Sequence, residues 1–147
     1  MIDVQLLYDM EETVDLDDGW LNSTCTNILN DNNQIKATIS IILSNDNKLQ
    51  QLKKQYFHQD VLTDVITFNL EDEGDPLEGE IYISLTRVLE NAMEFKQEIE
   101  TELKRVIIHG CLHLLGYDDS TPEEKKAMTI LEDHYLSQPA IQTRLNL

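Results

Sequence analysis

The stretch from Ile99 to Gly116 limits the possible folds more than any other part of the chain. Ile99, Leu103, Val106, Gly110 and Leu114 fall on one stripe at helical spacing, and this is the longest helical pattern in the sequence. The pattern stops at Gly116, a residue suited to the left-handed position that closes helices. A helix owes most of its stability to packing, so this stripe has to be buried against other elements. His109 and His113 lie four residues apart inside it, which stacks both imidazoles on one helical face, one turn apart.

The remaining sequence supplies what such a helix packs against. Ile2 to Leu7 predicts a short strand. Trp20 to Asn30 predicts a helix, with Leu21, Cys25, Ile28 and Leu29 on its apolar side, after an acidic, turn-like Asp15–Gly19. Ile35, Ala37, Ile39, Ile41 and Leu43 alternate with Lys36, Thr38 and Ser40, the pattern of a half-buried strand. Leu49, Leu52 and Tyr56 mark a helix after Asn45-Asp46-Asn47. Two more strands are expected: Val65 to Leu70, with Ile66, Phe68 and Leu70 on one face, and Gly79 to Leu85, with Ile81, Ile83 and Leu85 on one face. The polar turn from Glu71 to Pro76 separates them, and the pattern is helical from Thr86 onward. Thr121-Pro122-Glu123-Glu124 has the form of a capping box that opens a last helix, whose buried face is Met128, Leu131 and Tyr135. These elements predict an α+β fold, a single domain over residues 1–147. About four strands would form a mixed sheet packed against four or five helices, the last of them consecutive.

Composition narrows the function. With 11 Lys and Arg against 28 Asp and Glu, the formal net charge is −17, which repels phosphate backbones at long range. Such a surface gives no sign of a general nucleic-acid binder, and any role on nucleic acid must rest on a local patch, a metal or a partner protein. No DNA partner is expected. No run is apolar for long enough to span a bilayer, and Met1-Ile2-Asp3-Val4 lacks the features of a signal peptide, so no membrane role and a cytoplasmic location are expected. Two isolated cysteines, Cys25 and Cys111, fit reduced packing residues better than a disulfide in that setting.

The chemistry concentrates at H-x-x-x-H-x-x-G-x-x-D. The helix presents His109 and His113, Gly116 can turn the chain sharply, and Asp119 follows where it can fold back toward the rings. Two imidazoles and a carboxylate would leave positions on an ion open for water and substrate, as catalytic rather than structural sites do. Cys111, two residues from each histidine, points away from their face. The plainer alternative is a pair of packed histidines bonded to backbone carbonyls, with Asp118-Asp119 a solvated turn. His58 and His134 have no comparable context.

The segment Val106–Asp119 closely resembles the signature of the YbeY family, bacterial zinc-dependent endoribonucleases and rRNA maturation factors. The family's signature reads HGxLHLxGYDH, and His109-Gly110-Cys111-Leu112-His113-Leu114-Leu115-Gly116-Tyr117-Asp118-Asp119 departs from it only at the last position. Thr63-Asp64-Val65-Ile66-Thr67-Phe68 resembles the family's TDVLSF strand, and Gly79-Glu80-Ile81 its GDI strand. The likeness runs from about Leu49 to Tyr135. It implies one Zn2+ bound by His109, His113 and Asp119, single-stranded RNA or rRNA as substrate, and ribosomal proteins or assembly factors as partners. Beyond a metal-bound water it names no catalytic residue here, and no organic cofactor.

Two positions depart from the family. Asp119 replaces its usual third histidine, which makes the site harder and more anionic and leaves other divalent metals open. Phe57, between Tyr56 and His58, stands where the family tends to carry an arginine that acts on the phosphate. Lys53, Lys54 or His58 are the candidates to replace that charge.

Two other functions compete. Metzincin-like metallopeptidases share the spacing of the three ligands, but they need Glu directly after the first histidine as general base, and Gly110 occupies that place. The third reading is a non-catalytic metal-binding ribosome-assembly factor whose acidic surface docks on basic ribosomal proteins.

Overall fold

The structure is a computed structural model that describes residues 1–138. Its elements, in chain order, are β1 (Ile2–Tyr8), α1 (Asp18–Asp31), β2 (Ala37–Ser44), α2 (Asp46–Phe57), β3 (Val65–Asn69), β4 (Leu77–Ser84), α3 (Leu85–Glu94), α4 (Ile99–Leu114) and α5 (Pro122–Leu136). The four strands form one mixed sheet in the order β1-β2-β4-β3. β1, β2 and β4 run parallel, and the edge strand β3 is antiparallel to β4. The expected α+β class, strand number and helix number are all observed, and α4 and α5 are indeed consecutive.

Each element forms for a local reason. β2 is interior, and Ile39, Ile41 and Leu43 are fully buried on it. Asn45 caps α2 by accepting from the Lys48 amide, and Ser84 caps α3 by accepting from the Arg87 amide. Ser84 is therefore both the last residue of β4 and the start of a helix, which moves Leu85 from strand to helix. The other departures from the sequence pattern are at element ends. Ile35 precedes β2 and is 78% exposed, and Leu70 and Ile99 are also exposed. A terminal residue can continue a period without having anything to pack against.

α4 is the hub, in contact with α1, α3, α5, β3 and β4. Gly110 marks its closest approach to the sheet: a Cβ there would lie 2.7 Å from Cγ2 of Ile81 on β4. Leu103, Val106, Ile107, Ile108, Cys111 and Leu112 all lie in the one core cluster. Cys25 and Cys111 are free and buried, their Sγ atoms 3.7 Å apart where α1 meets α4. Among the described residues, no helix is long and apolar enough to cross a membrane.

Candidate metal centre

The buried side of α4 fixes where its histidines go. Gly110, Cys111 and Leu112 face the core, so His109 and His113 emerge together on the flank toward β3 and α5. Their Nε2 atoms lie 2.9 Å apart.

The turn after α4 brings in the third group. Gly116 adopts φ +101°, its amide donates to the carbonyl of His113 at 3.0 Å, and the Tyr117 amide donates to that of Leu112 at 3.1 Å. This is a Schellman closure, which satisfies two carbonyls of the last helical turn and reverses the chain. Four residues after Tyr117 the next helix starts from a complete capping box: Thr121 Oγ1 accepts from the Glu124 amide, and Glu124 Oε1 accepts from the Thr121 and Ser120 amides. Tyr117 Oη also donates to Asn32 Oδ1 on the loop after α1. Asp119 is thus held in a short loop pinned at both ends. Its Oδ2 lies 3.3 Å from His109 Nε2, and its Oδ1 lies 3.5 Å from His113 Nε2. The neighbouring Asp118 is exposed and takes no part.

The three residues singled out in the sequence therefore converge, with ligand atoms all within 4.8 Å of one another, a grouping that could hold a metal ion. Their chemistry suits one. Two imidazole nitrogens and a carboxylate oxygen are the donor set of an open zinc site. His58, by contrast, caps α2 in a left-handed conformation, and His134 packs its ring against Tyr135.

Two residues that sequence reasoning missed support His109. Its Nδ1 donates to Oε2 of Glu132 on α5 at 2.7 Å, so in the neutral ring Nε2 is the nitrogen that carries the lone pair, the form a metal ion would bind. Glu132 is only 7% exposed. Its Oε1 accepts from Arg105 Nη1 at 2.9 Å, and Arg105 Nη2 donates to Asp133 at 2.7 Å. Burial alone would lower the His109 pKa, but the Glu132 carboxylate, aided by Asp119 and Asp64, holds it above the usual imidazole value. A signal for both residues existed. Arg105, His109 and His113 follow at i, i+4 and i+8, and Glu132 falls on the helical stripe of Met128 and Tyr135.

A cleft of about 340 Å³ opens over the cluster, and its far wall is β3 with Thr63 and Asp64 before it. Asn69 Nδ2 at the end of β3 donates to the Leu114 carbonyl at 2.9 Å, which ties that wall to the end of α4. Burial pushes the Asp64 carboxyl above its ordinary value, a shift only partly opposed by His109. Lys53 and Phe57 of α2 line the same cleft. Lys54 does not: it lines a separate groove and pairs with Asp60 at 4.0 Å. A single residue step along α2, about 100° of rotation, thus separates the two lysines that the sequence left together as candidates.

With this geometry in place, comparison with known proteins assigns the family. The sequence profile described as Endoribonuclease YbeY matches residues 8–140. The chain belongs to the YbeY family. It is 40% identical over 129 residues to the endoribonuclease YbeY of Flavobacterium psychrophilum, covering 88% of this chain and 91% of that one. It is 42% identical over 100 residues to the endoribonuclease YbeY of Chlorobaculum tepidum, covering 68% and 72%. A solution structure of a Thermotoga maritima protein superposes with a TM-score of 0.60 at 31% identity, covering 90% of this chain and 86% of that one. The resemblance seen in the three sequence blocks is therefore a family relationship over most of the chain.

Proposed function

We propose that this YbeY-family protein is a metal-dependent endoribonuclease that cleaves single-stranded RNA in rRNA maturation, with one Zn2+ held by His109, His113 and Asp119. The observation that carries the proposal is the convergence of two imidazole Nε2 atoms and one carboxylate at the floor of an open cleft, in a chain whose relatives bear the name endoribonuclease. An ion in such a site polarises a phosphoryl oxygen or lowers the pKa of its water toward about 7. The chain's own residues do the rest. Glu132 fixes the orientation and tautomer of His109, Arg105 neutralises Glu132, and the two-ended loop fixes Asp119. Lys53 supplies the cation that can meet a phosphate at the rim of the cleft. Residues 1–147 act as one unit in this reading, in the cytoplasm, and the acidic surface engages basic ribosomal proteins.

A specific feature argues against peptide hydrolysis. Position 110 faces β4, where even a Cβ would lie 2.7 Å from Ile81, so this site has no room for the glutamate that a metzincin places there.

The test uses protein purified without a metal-affinity tag. Elemental analysis should find about one zinc per chain, the number of ions one three-ligand site can hold. A single-stranded RNA oligonucleotide should be cut by the wild type, should survive after chelation, and should survive with His109→Ala or His113→Ala. RNA left intact by fully metallated protein would overturn the enzymatic reading and favour the non-catalytic assembly factor.

A further inference from the structure

The cleft that holds the histidines is also lined by a partly exposed aromatic ring from α2. Phe57 is the last residue of α2, is 42% exposed, and lines the same cleft as His109, His113 and Asp119. Its ring is braced from behind. Phe68 of β3 lies 6.0 Å away with its plane tilted by 30°. Phe68 in turn meets Tyr56 edge-on at 5.2 Å and Tyr82 edge-on at 5.9 Å. Four rings thus form a continuous ledge from β4 to the cleft mouth, and Phe57 is the member that reaches the site. Over the Phe57 ring sits the ammonium of Lys53, 4.7 Å from the centroid. Among the described residues, Lys53 forms no ion pair with a carboxylate, unlike its neighbour Lys54.

We propose that Phe57 is a nucleobase-stacking position of the RNA-binding cleft, and that Lys53 leaves the Phe57 ring for a backbone phosphate when an unpaired base takes its place. This inference rests on the endoribonuclease reading of the cleft. Magnitudes favour the exchange. An exposed cation–π contact contributes about 0.5–1 kcal/mol. A base stacked on an aromatic side chain contributes about 1–3 kcal/mol, and the released ammonium gains a phosphate in addition. A lysine suits the exchange because its ammonium is a compact charge on a flexible stem. The geometry also selects the substrate. A ring at a cleft rim can stack only on a base that is free of its own neighbours, so this position favours single strands, loops and ends over duplex. The ledge gives a chain with a net charge of −17 a way to hold RNA that does not depend on many cationic contacts.

The test is equilibrium binding of metal-loaded protein to a fluorescein-labelled 2′-O-methyl RNA single strand, its integrity checked by gel after each titration. Phe57→Ala and Phe57→Leu should each weaken binding at least about five-fold, the equivalent of roughly 1 kcal/mol for one stacked base, while Phe57→Tyr stays close to wild type. All three should keep wild-type metal content. A duplex of the same sequence should bind equally to wild type and Phe57→Leu. A second measurement needs no variant that could misfold: an oligonucleotide with the same phosphates and no bases should bind wild type more weakly than RNA does, and should bind wild type and Phe57→Leu alike. Phe57→Leu binding single strands as tightly as wild type would overturn the proposal, and so would an equal loss on duplex and single strand. RNA cleavage by wild type is scored separately. Phe57-dependent binding without cleavage would sink the enzymatic reading alone, and cleavage without Phe57 dependence would sink this inference alone.

Discussion

His109 Nδ1 and Glu132 Oε2 are 2.7 Å apart, a hydrogen bond that joins α4 to α5 directly behind the candidate metal centre. It does two things at once: it sets which nitrogen of His109 faces the cleft, and it places a nearly buried carboxylate where its charge makes that ring a better donor. Arg105, one turn before His109 on α4, keeps Glu132 from being a lone buried charge.

Removing this support should show in metal affinity rather than in fold alone. Glu132→Gln should weaken zinc binding about 10–100-fold, the usual effect of losing a carboxylate behind a ligating histidine. A competition titration against a chromophoric chelator measures this. An unchanged affinity would mean that the bond is structural only.

The third ligand separates two neighbouring aspartates. Asp119 faces both Nε2 atoms while Asp118 points to solvent. Asp119→Ala should lose metal, Asp118→Ala should keep it, and Asp119→His should bind zinc at least as well as wild type, because imidazole is the softer donor. Elemental analysis of the three variants decides the matter. The idea fails if Asp118→Ala is the damaging change.

Gly110 is required by contact and not by backbone conformation. Its missing side chain lets α4 lie against Ile81, so Gly110→Ala should destabilise by about 1–3 kcal/mol through overpacking. In a chain of this size that lowers Tm by roughly 2–4 °C for each kcal/mol, readable by calorimetry. A wild-type Tm for Gly110→Ala would show that Ile81 yields without strain.

The metal-free protein should carry a pH signature from Asp64. Burial raises the carboxyl in the folded state, so the folded chain holds that proton more tightly than the unfolded chain does. Stability is therefore lost as pH rises from the unfolded value near about 3.9 through the raised folded value, and the cost is fully present above it. Asp64→Asn should melt higher than wild type at neutral pH, and the difference should vanish in acid. Thermal scans from pH 4 to 8 would refute this if the gap between the two proteins stayed constant.

Much of this was legible in the sequence because the decisive parts are local. The i, i+4 histidines, the closing Gly116 and the Thr121 capping box each work within a few residues, and together they fix Asp119 with little help from the rest of the fold. The strands were equally readable from alternation. What was hidden depends on which elements meet. Glu132 becomes a partner of His109 only once α5 packs on α4, and in the sequence it is one acidic residue among 28. Asp64 reads as part of a strand signature and acquires its cleft only when β3 takes the edge beside α4. Lys53 and Lys54 are adjacent in sequence, yet 100° of helical turn sends one over Phe57 and the other to Asp60.

That separation of the lysines yields the last prediction. Counterion release makes the logarithm of RNA affinity fall with the logarithm of salt, by roughly 0.7 for each phosphate neutralised on a single strand. With a formal charge of −17 and one cleft lysine, the wild-type slope should be shallow. Lys53→Ala should weaken binding to a single strand at low salt and reduce the slope by about 0.7, the loss of one phosphate contact. Lys54→Ala should change neither, because Lys54 lies in another groove and already pairs with Asp60. Metal content should be normal in both. Titrations at several salt concentrations, with all three proteins in parallel, check this directly. Equal slopes for Lys53→Ala and wild type would mean that the cleft cation never reaches a phosphate. A slope much steeper than one or two contacts allow would place RNA on a basic surface away from this cleft.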